Sequence, residues 1–243
     1  MAERLASPPH LSLPRPLDLS KYVPSMPKLG RPLRVALPCV GIDGCGEAFH
    51  QGKVWWEGCN VWDLDAEYRT HLEMHFLEAT GKIPDLHLGK EKGNMLNCSA
   101  EDLEDKEVDL LCAGFPCPPW AGNGNKAGVK DKRFQVFFKG IEWILYLIQC
   151  RGLIGICLEN VKGTMNNIDG REPYYPRLMT ILQCLLPMFR FRIDHLDAKN
   201  YLSPAARPRV LLRGMHVKFA PQGVPPPLPP MGTAARQSAC QGE

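Results

Sequence analysis

Short apolar segments alternate with segments of helical character along most of this chain. Strand character is found at residues 33–37, 54–62 with an interruption at Gly58, 94–96, 108–113, 153–158, 189–197 and 210–215, and helical character at 47–51, 66–77, 134–149 and 174–186. Parallel neighbours in a sheet can be joined only by a crossover, which a helix usually provides. The alternation therefore predicts an α/β fold with a mostly parallel sheet and helices on both faces.

The two ends of the chain differ from this body in composition. Residues 1–32 and 220–243 are rich in proline and show no sustained periodicity, which is typical of disordered segments. We therefore predict a disordered arm over 1–32, one domain over 33–219 and a disordered tail over 220–243. The length of the body suits a single large domain with its own core.

Charge and cysteine content restrict the cellular setting and the partners. The net charge of +3 permits a nucleic-acid partner without arguing for one. The ten cysteines include no C-x-x-C pair, so they indicate neither a disulfide framework nor a zinc ribbon, and a reducing compartment is expected. With no apolar run near the roughly 20 residues of a membrane span and no signal-peptide core, we expect an intracellular protein without a membrane.

A glycine-bearing turn follows the first predicted strand. It contains Gly41, Gly44 and Gly46, and an acid, Asp63, ends the next strand 22 residues after Gly41. Such a pair suits a ligand with ribose hydroxyls, although an ordinary tight turn followed by an exposed carboxylate would have the same sequence. Asp43, inside the turn, would face a pyrophosphate unfavourably. The pattern therefore favours a nucleoside cofactor with a positive centre and no phosphate, such as S-adenosylmethionine.

Three further polar groups lie beside predicted strands. Cys117 stands between prolines just beyond the strand 108–113, Glu159 directly follows the strand 153–158, and Arg207 and Arg209 flank a proline that leads into the last strand. Proline restricts the backbone on both sides of this thiol. Because ligands bind beyond the carboxyl ends of parallel strands, the thiol and the carboxylate are expected at one edge. A buried inert cysteine and a solvated acid remain the alternatives at this point.

The spacing of two histidines raises the question of a metal site, and we predict none. His71 and His75 lie at helical i, i+4 spacing. Glu73 is not placed as in a His-Glu-x-x-His sequence, and no third ligand is evident.

In this order, the segments resemble the motifs of the C5-cytosine DNA methyltransferase family. The resemblance covers about residues 33–219 and rests on Val40-Gly41-Ile42-Asp43-Gly44, Gly114-Phe115-Pro116-Cys117, Glu159-Asn160-Val161 and Arg207-Pro208-Arg209. It implies a Rossmann-like fold of the S-adenosylmethionine-dependent methyltransferases. Its implied activity is methyl transfer to C5 of a cytosine in DNA.

The resemblance also implies roles for individual residues. Cys117 would attack C6 of the base, Glu159 would hold its N3 and N4 edge, Arg209 would contact O2, and Arg207 would fix the loop and the thiolate. Residues 118–132 would form a mobile loop that closes over the substrate. For S-adenosylmethionine, the implied contacts are Gly41, Ile42 and Gly44 in the turn, Asp63 on the ribose, Leu64, Asn94 and Met95 at the adenine, and Gly114 and Val136 on the rest.

The chain departs from the family pattern at Cys39, Asp43, Leu64, Asn94 and Pro118, and no target-recognition domain follows Val210. DNA is the expected partner, and a protein partner could supply target recognition. A nuclear location is expected in a eukaryote. Two alternatives remain open: a catalytically degenerate or partner-dependent module, and an enzyme that methylates cytosine in RNA.

Overall fold

The computed structural model describes residues 30–117, 132–167, 172–201 and 205–224. Apart from residues 30–32 and 220–224, the predicted arm and tail lie outside these ranges. Among the helices of the described ranges, none combines the length and apolar character needed to cross a membrane.

Seven strands form one sheet in the order β3-β2-β1-β4-β5-β7-β6. The pairs from β3 to β5 are parallel, and β7 runs antiparallel between β5 and β6. This confirms the predicted mostly parallel sheet and the closing pair of strands. The strands are β1 Leu33–Pro38, β2 Trp56–Asp63, β3 Leu86–Leu88, β4 Leu110–Gly114, β5 Gly155–Val161, β6 Phe189–Asp197 and β7 Pro208–His216.

Four of the described helices lie where the alternation predicts them: α1 Gly44–Gln51, α2 Arg69–Thr80, α4 Gln135–Arg151 and α5 Tyr174–Leu185. The short helix α3, Gly89–Lys92, was not predicted. Helix α1 begins inside the glycine turn, because the Asp43 side chain caps it by accepting a hydrogen bond from the Gly46 N–H.

Two hydrophobic cores lie on opposite faces of the sheet. Successive residues of β1 belong to different cores. Ala36 lies in the core with α4 and α5, whereas Val35 and Leu37 lie in the core with α1 and α2. Successive side chains of a strand point to opposite faces, so both faces are covered over β1. Large buried side chains, Trp143 of α4 and Phe76 of α2, fill the two layers.

Two local predictions were wrong. Residues 94–96 are not a strand, because the Asn94 side chain accepts a hydrogen bond from the Leu96 N–H and starts a 3-10 turn; this is a common use of asparagine. Gly58 does not interrupt β2 either, since it pairs with Val35. The irregularity of β2 lies at Asn60, which has a left-handed φ of 49° and exchanges hydrogen bonds with Glu104.

A glycine in α4 makes room for the segment before Cys117. A β-carbon on Gly140 would overlap the ring of Phe115, which is buried and packs edge-on against Phe137 at a centroid distance of 5.0 Å. We expect Gly140→Ala to lower the free energy of unfolding by about 1–3 kcal/mol, because an overpacked core must shift its neighbours. Thermal unfolding measures this, with exposed Gln135→Ala in the same helix as the control. Equal melting temperatures for the two variants would contradict the tight contact.

Candidate active site

A cavity of about 510 Å³ opens at the carboxyl ends of β1, β2 and β4. This is the edge at which parallel sheets bind ligands, and the volume is that of an ordinary small-molecule site. Its walls come from the turn after β1, the end of β2, the 3-10 turn near residue 95, the end of β4 and the start of α4. The lining residues are Cys39, Gly41, Trp62, Asp63, Leu64, Asp65, Tyr68, Lys90, Gly93, Asn94, Met95, Gly114, Pro116, Arg133 and Val136.

Seven of the predicted cofactor residues line this cavity together: Gly41, Asp63, Leu64, Asn94, Met95, Gly114 and Val136. The other two, Ile42 and Gly44, are not among its lining residues. Ile42 projects from the turn with 63% of its surface exposed, and Gly44 is the first residue of α1.

Asp63 ties the glycine turn to the end of β2. One carboxylate oxygen accepts the Gly41 N–H at 2.8 Å, and the other accepts the Asp65 N–H at 2.9 Å. Each oxygen keeps a further lone pair that can accept a hydroxyl. The carboxylate is therefore placed by the backbone at the wall of the cavity.

The Asp43 side chain lies under the glycine turn. The expectation that it would face a pyrophosphate was wrong, because the residue is 1% exposed and its carboxylate accepts the Gly46 N–H at 2.8 Å. Its left-handed φ of 55°, a conformation that aspartate tolerates better than most residues, turns the side chain inward. Asp43 thus affects the site by holding the turn, and its side chain is not among the residues that line the cavity.

Cys117 follows β4 on a segment anchored by its neighbours. Phe115 is buried in the core, and the Cys117 thiol lies 3.7 Å from the Phe115 carbonyl oxygen. Burial raises the pKa of the Cys117 thiol, and the Glu159 carboxylate raises it further. Arg209, the Val161 N–H and Arg207 act in the opposite direction. The surroundings therefore contain both groups that favour the thiol and groups that favour the thiolate.

Glu159 and Arg209 form an ion pair beside this thiol. Gly114 of β4 is the register partner of Glu159 in β5, and Val161 of β5 is that of Arg209 in β7. The Arg209 Nε atom lies 2.5 Å from Oε1 of Glu159. Burial raises the pKa of the Glu159 carboxyl, and Arg209 and Arg207 oppose this shift. Three strands thus bring the thiol, the carboxylate and the arginine together.

The backbone of Arg207 is held by a hydrogen bond to Asp197. Its N–H donates to Oδ1 of Asp197 at 2.9 Å, and the same oxygen accepts the Lys199 N–H at 3.2 Å. The aspartate at the end of β6 therefore fixes both sides of the connection to β7, while the Arg207 side chain is exposed. The predicted mobile loop spans residues 118–132. Of these, residues 118–131 lie outside the described residues.

Several lining residues were missed by the sequence analysis. Trp62, Tyr68 and Lys90 carry no motif, and only their closeness to strand ends could have indicated them. Gly93 had a clearer physical reason, because a β-carbon there would overlap the backbone carbonyl of Asp63. Within the described ranges, no cluster of three or more His, Cys, Asp or Glu side chains could hold a metal ion.

Solved methyltransferase structures share this architecture. The Dnmt2 methyltransferase of S. pombe matches with a TM-score of 0.52 at 17% identity, over 76% of this chain and 51% of that one. The methyltransferase EhMeth of Entamoeba histolytica matches with a TM-score of 0.54 at 13% identity, over 76% and 53%. The chain therefore has the Rossmann-like fold of S-adenosylmethionine-dependent methyltransferases.

Curated relatives are similar over parts of their sequences. The type II methyltransferase M.HpaII of Haemophilus parainfluenzae is 33% identical over 114 residues, which are 46% of this chain and 29% of that enzyme. The type II methyltransferase M.DsaV of Dactylococcopsis salina is 31% identical over 155 residues, 64% of this chain and 39% of that enzyme. The chain thus spans well under half the length of these relatives.

The sequence profile of the C-5 cytosine-specific DNA methylases covers most of the chain. It matches residues 40–235 and so includes the glycine turn, Cys117, Glu159 and both arginines. This match extends well beyond half of the 243 residues, and the cavity and the thiol–carboxylate–arginine group lie inside it. The chain belongs to the C-5 cytosine-specific DNA methylase family.

Proposed function

We propose that residues 33–219 form a DNA (cytosine-5-)-methyltransferase catalytic domain that transfers a methyl group from S-adenosylmethionine to a flipped cytosine. The observation that supports this most is the Glu159–Arg209 ion pair, at 2.5 Å, within electrostatic reach of the Cys117 thiol. A nucleophile, an acid and a cation at the rim of a nucleoside-sized cavity suit addition to a pyrimidine ring.

The cavity fits S-adenosylmethionine, which family membership implies. When bound, the cofactor supplies a methyl group attached to a positively charged sulfur. The Asp63 carboxylate would accept the ribose hydroxyls, and Leu64, Asn94 and Met95 would surround the adenine. Gly114 lies in the cavity wall beside Glu159, since a β-carbon there would be in ordinary contact with Oε2 of Glu159, at 3.5 Å.

Removal of the Asp63 carboxylate tests this assignment. We expect Asp63→Ala to weaken binding of S-adenosylmethionine about tenfold or more, because it removes the acceptor for the ribose and releases the Gly41 N–H. Isothermal titration calorimetry measures the affinity, and exposed Glu67→Gln on the following turn is the matched control. Unchanged affinity in Asp63→Ala would contradict the assignment of the ribose to this wall of the cavity.

In the proposed mechanism, the Cys117 thiolate adds to C6 and the ring becomes an enamine-like nucleophile at C5. Glu159 holds the N3 edge and stabilises the proton there, and Arg209 keeps that carboxylate oriented. Methyl transfer to C5 would break the methyl–sulfur bond and leave S-adenosylhomocysteine. A water molecule then takes the C5 proton and the C6–S bond breaks, which returns the thiolate. A base inside a duplex is out of reach of the thiol, so it must leave the stack.

A direct assay separates the proposed function from its alternatives. Purified protein is incubated with S-adenosylmethionine labelled in the methyl group and with DNA or RNA, and transfer is counted. Label in DNA that is lost in Cys117→Ala supports the proposal, and label in RNA alone supports the RNA enzyme. Covalent capture of DNA containing 5-fluorocytosine in the presence of S-adenosylmethionine detects even a single transfer, because the methylated C5 then has no proton to lose. The absence of both label and capture supports the degenerate module.

A partner-dependent module is the second candidate, because the chain spans only 29–39% of the two curated relatives described above. In this case, transfer would appear only when a target-recognition subunit is added.

A further inference from the structure

A carboxylate is buried beneath the glycine turn without full hydrogen bonding. The Asp43 side chain is inaccessible to solvent, and Oδ1 accepts the Gly46 N–H while Oδ2 has no hydrogen-bond partner among the described residues. The fit is tight, because a β-carbon on Gly46 would overlap both this carboxylate and the Trp56 ring. A buried charge of this kind is costly unless it is compensated.

A histidine of α2 approaches this carboxylate. The His75 Nε2 atom lies 3.3 Å from Oδ2 of Asp43, and Nδ1 lies 3.6 Å from Oε2 of Glu47. Nε2 also lacks a hydrogen bond within the described part of the chain, so its contact with Asp43 is not a well-aligned hydrogen bond. Only 10% of the His75 side chain is exposed.

The other groups around the pair can be named element by element. From α1, Glu47 faces His75. From α2, the His71 ring stacks on the His75 ring at a centroid distance of 6.4 Å. From β2, Trp56 packs against His75 and carries no charge. Burial raises the pKa of the Asp43 carboxyl, whereas the Gly46 N–H and His75 lower it. His75 is thus the cation that can compensate this carboxylate.

The same turn forms a wall of the cofactor cavity. Asp43 ends the turn that begins at Gly41, and the Gly41 N–H is bonded to Asp63 at the cavity wall. The His71 Nε2 atom also lies 3.4 Å from the Ile42 carbonyl oxygen. A shift of the Asp43 carboxylate would therefore move the backbone that lines the cavity.

We propose that His75 is a positioning residue for the cofactor site: in its charged form it compensates the Asp43 carboxylate and so holds the Gly41–Gly46 turn in its binding geometry. This inference rests on the proposed function, because it needs a nucleoside cofactor in the cavity. The need for this compensation comes from the Asp43 charge, so it disappears when Asp43 is replaced by a neutral residue of the same shape.

The experiment measures binding of S-adenosylhomocysteine by calorimetry, together with thermal unfolding of the free protein, at a single near-neutral pH. We expect His75→Gln to weaken binding about five- to tenfold. Asp43→Asn should bind like the wild type, because it removes the buried charge and keeps an acceptor for the Gly46 N–H. In the Asp43→Asn background, His75→Gln should have no further effect on affinity or on melting temperature.

Two controls keep the outcomes distinct. Exposed His50→Gln on α1 should bind like the wild type, and Asp63→Ala should weaken binding. Equal losses from His75→Gln with and without the Asp43 charge would show that His75 only packs, and would overturn the inference. Wild-type affinity in His75→Gln, with Asp63→Ala still weakened, would overturn it as well. If Asp63→Ala binds like the wild type, the proposed cofactor site fails, and the inference fails with it.

Discussion

Cys117→Ala is expected to lower methyl transfer to DNA at least about a thousandfold, because no other group can form the bond to C6. In the wild type, the rate should rise with pH, since the thiolate is the reactive form and burial together with Glu159 raises the pKa of Cys117. Initial rates with labelled S-adenosylmethionine, measured over a series of pH values, check both expectations.

The control for this variant is Cys150→Ala. Cys150 is an exposed cysteine near the end of α4, so its removal should leave the rate and its pH dependence unchanged. Comparable transfer by Cys117→Ala and wild type would overturn covalent catalysis through this thiol. A melting temperature close to that of the wild type would show that the fold survives the substitution.

Glu159→Gln is expected to have two effects of opposite sign. Methyl transfer should fall about a hundred- to ten-thousandfold, because the amide cannot stabilise a proton at N3 as the acid does. Alkylation of Cys117 should become faster, because the substitution removes a carboxylate that raises the pKa of this thiol and leaves Arg209, which lowers it. Mass spectrometry of the Cys117 peptide after brief iodoacetamide treatment near neutral pH measures the second effect.

The Cys150 peptide in the same sample provides an internal standard for alkylation, and exposed Glu78→Gln on α2 is the matched variant for both measurements. Slower alkylation of Cys117 in Glu159→Gln would mean that the carboxylate assists the thiolate, contrary to the electrostatics described here. Loss of transfer without a change in alkylation would show that the Glu159 carboxylate does not influence the reactivity of the Cys117 thiol.

The elements that the sequence predicts best are those whose apolar pattern agrees with their final packing. The strand 108–113 and the helix 134–149 are rich in apolar residues, and Leu111 of the strand and Trp143 of the helix are buried in the same core, so local pattern and tertiary structure coincide. The segment 94–96 shows the opposite case. Its apolar residues Met95 and Leu96 resemble a short strand, but the Asn94 side chain bonds to the backbone and diverts it into a turn.

The candidate site was predictable to the extent that it depends on strand ends. Cys117 and Glu159 follow neighbouring parallel strands, so their shared edge follows from topology. The direction of a single side chain does not follow from topology, and Asp43 illustrates this. Its position in the turn suggested contact with the ligand, whereas capping of α1 and the space left by Gly46 place it underneath.

The position of β7 has a consequence for the order in which the chain folds. Strand β6 makes its sheet hydrogen bonds with β7, and β7 inserts between β6 and β5, which precede it in the chain. Strand β6 therefore has no partner in the sheet until residues 208–216 arrive. Contacts between residues far apart in sequence are slow to form, and the Glu159–Arg209 pair joins residues on β5 and β7. During synthesis, Cys117 and Glu159 thus emerge well before Arg209, so the Glu159–Arg209 ion pair can form only after β7 has joined the sheet.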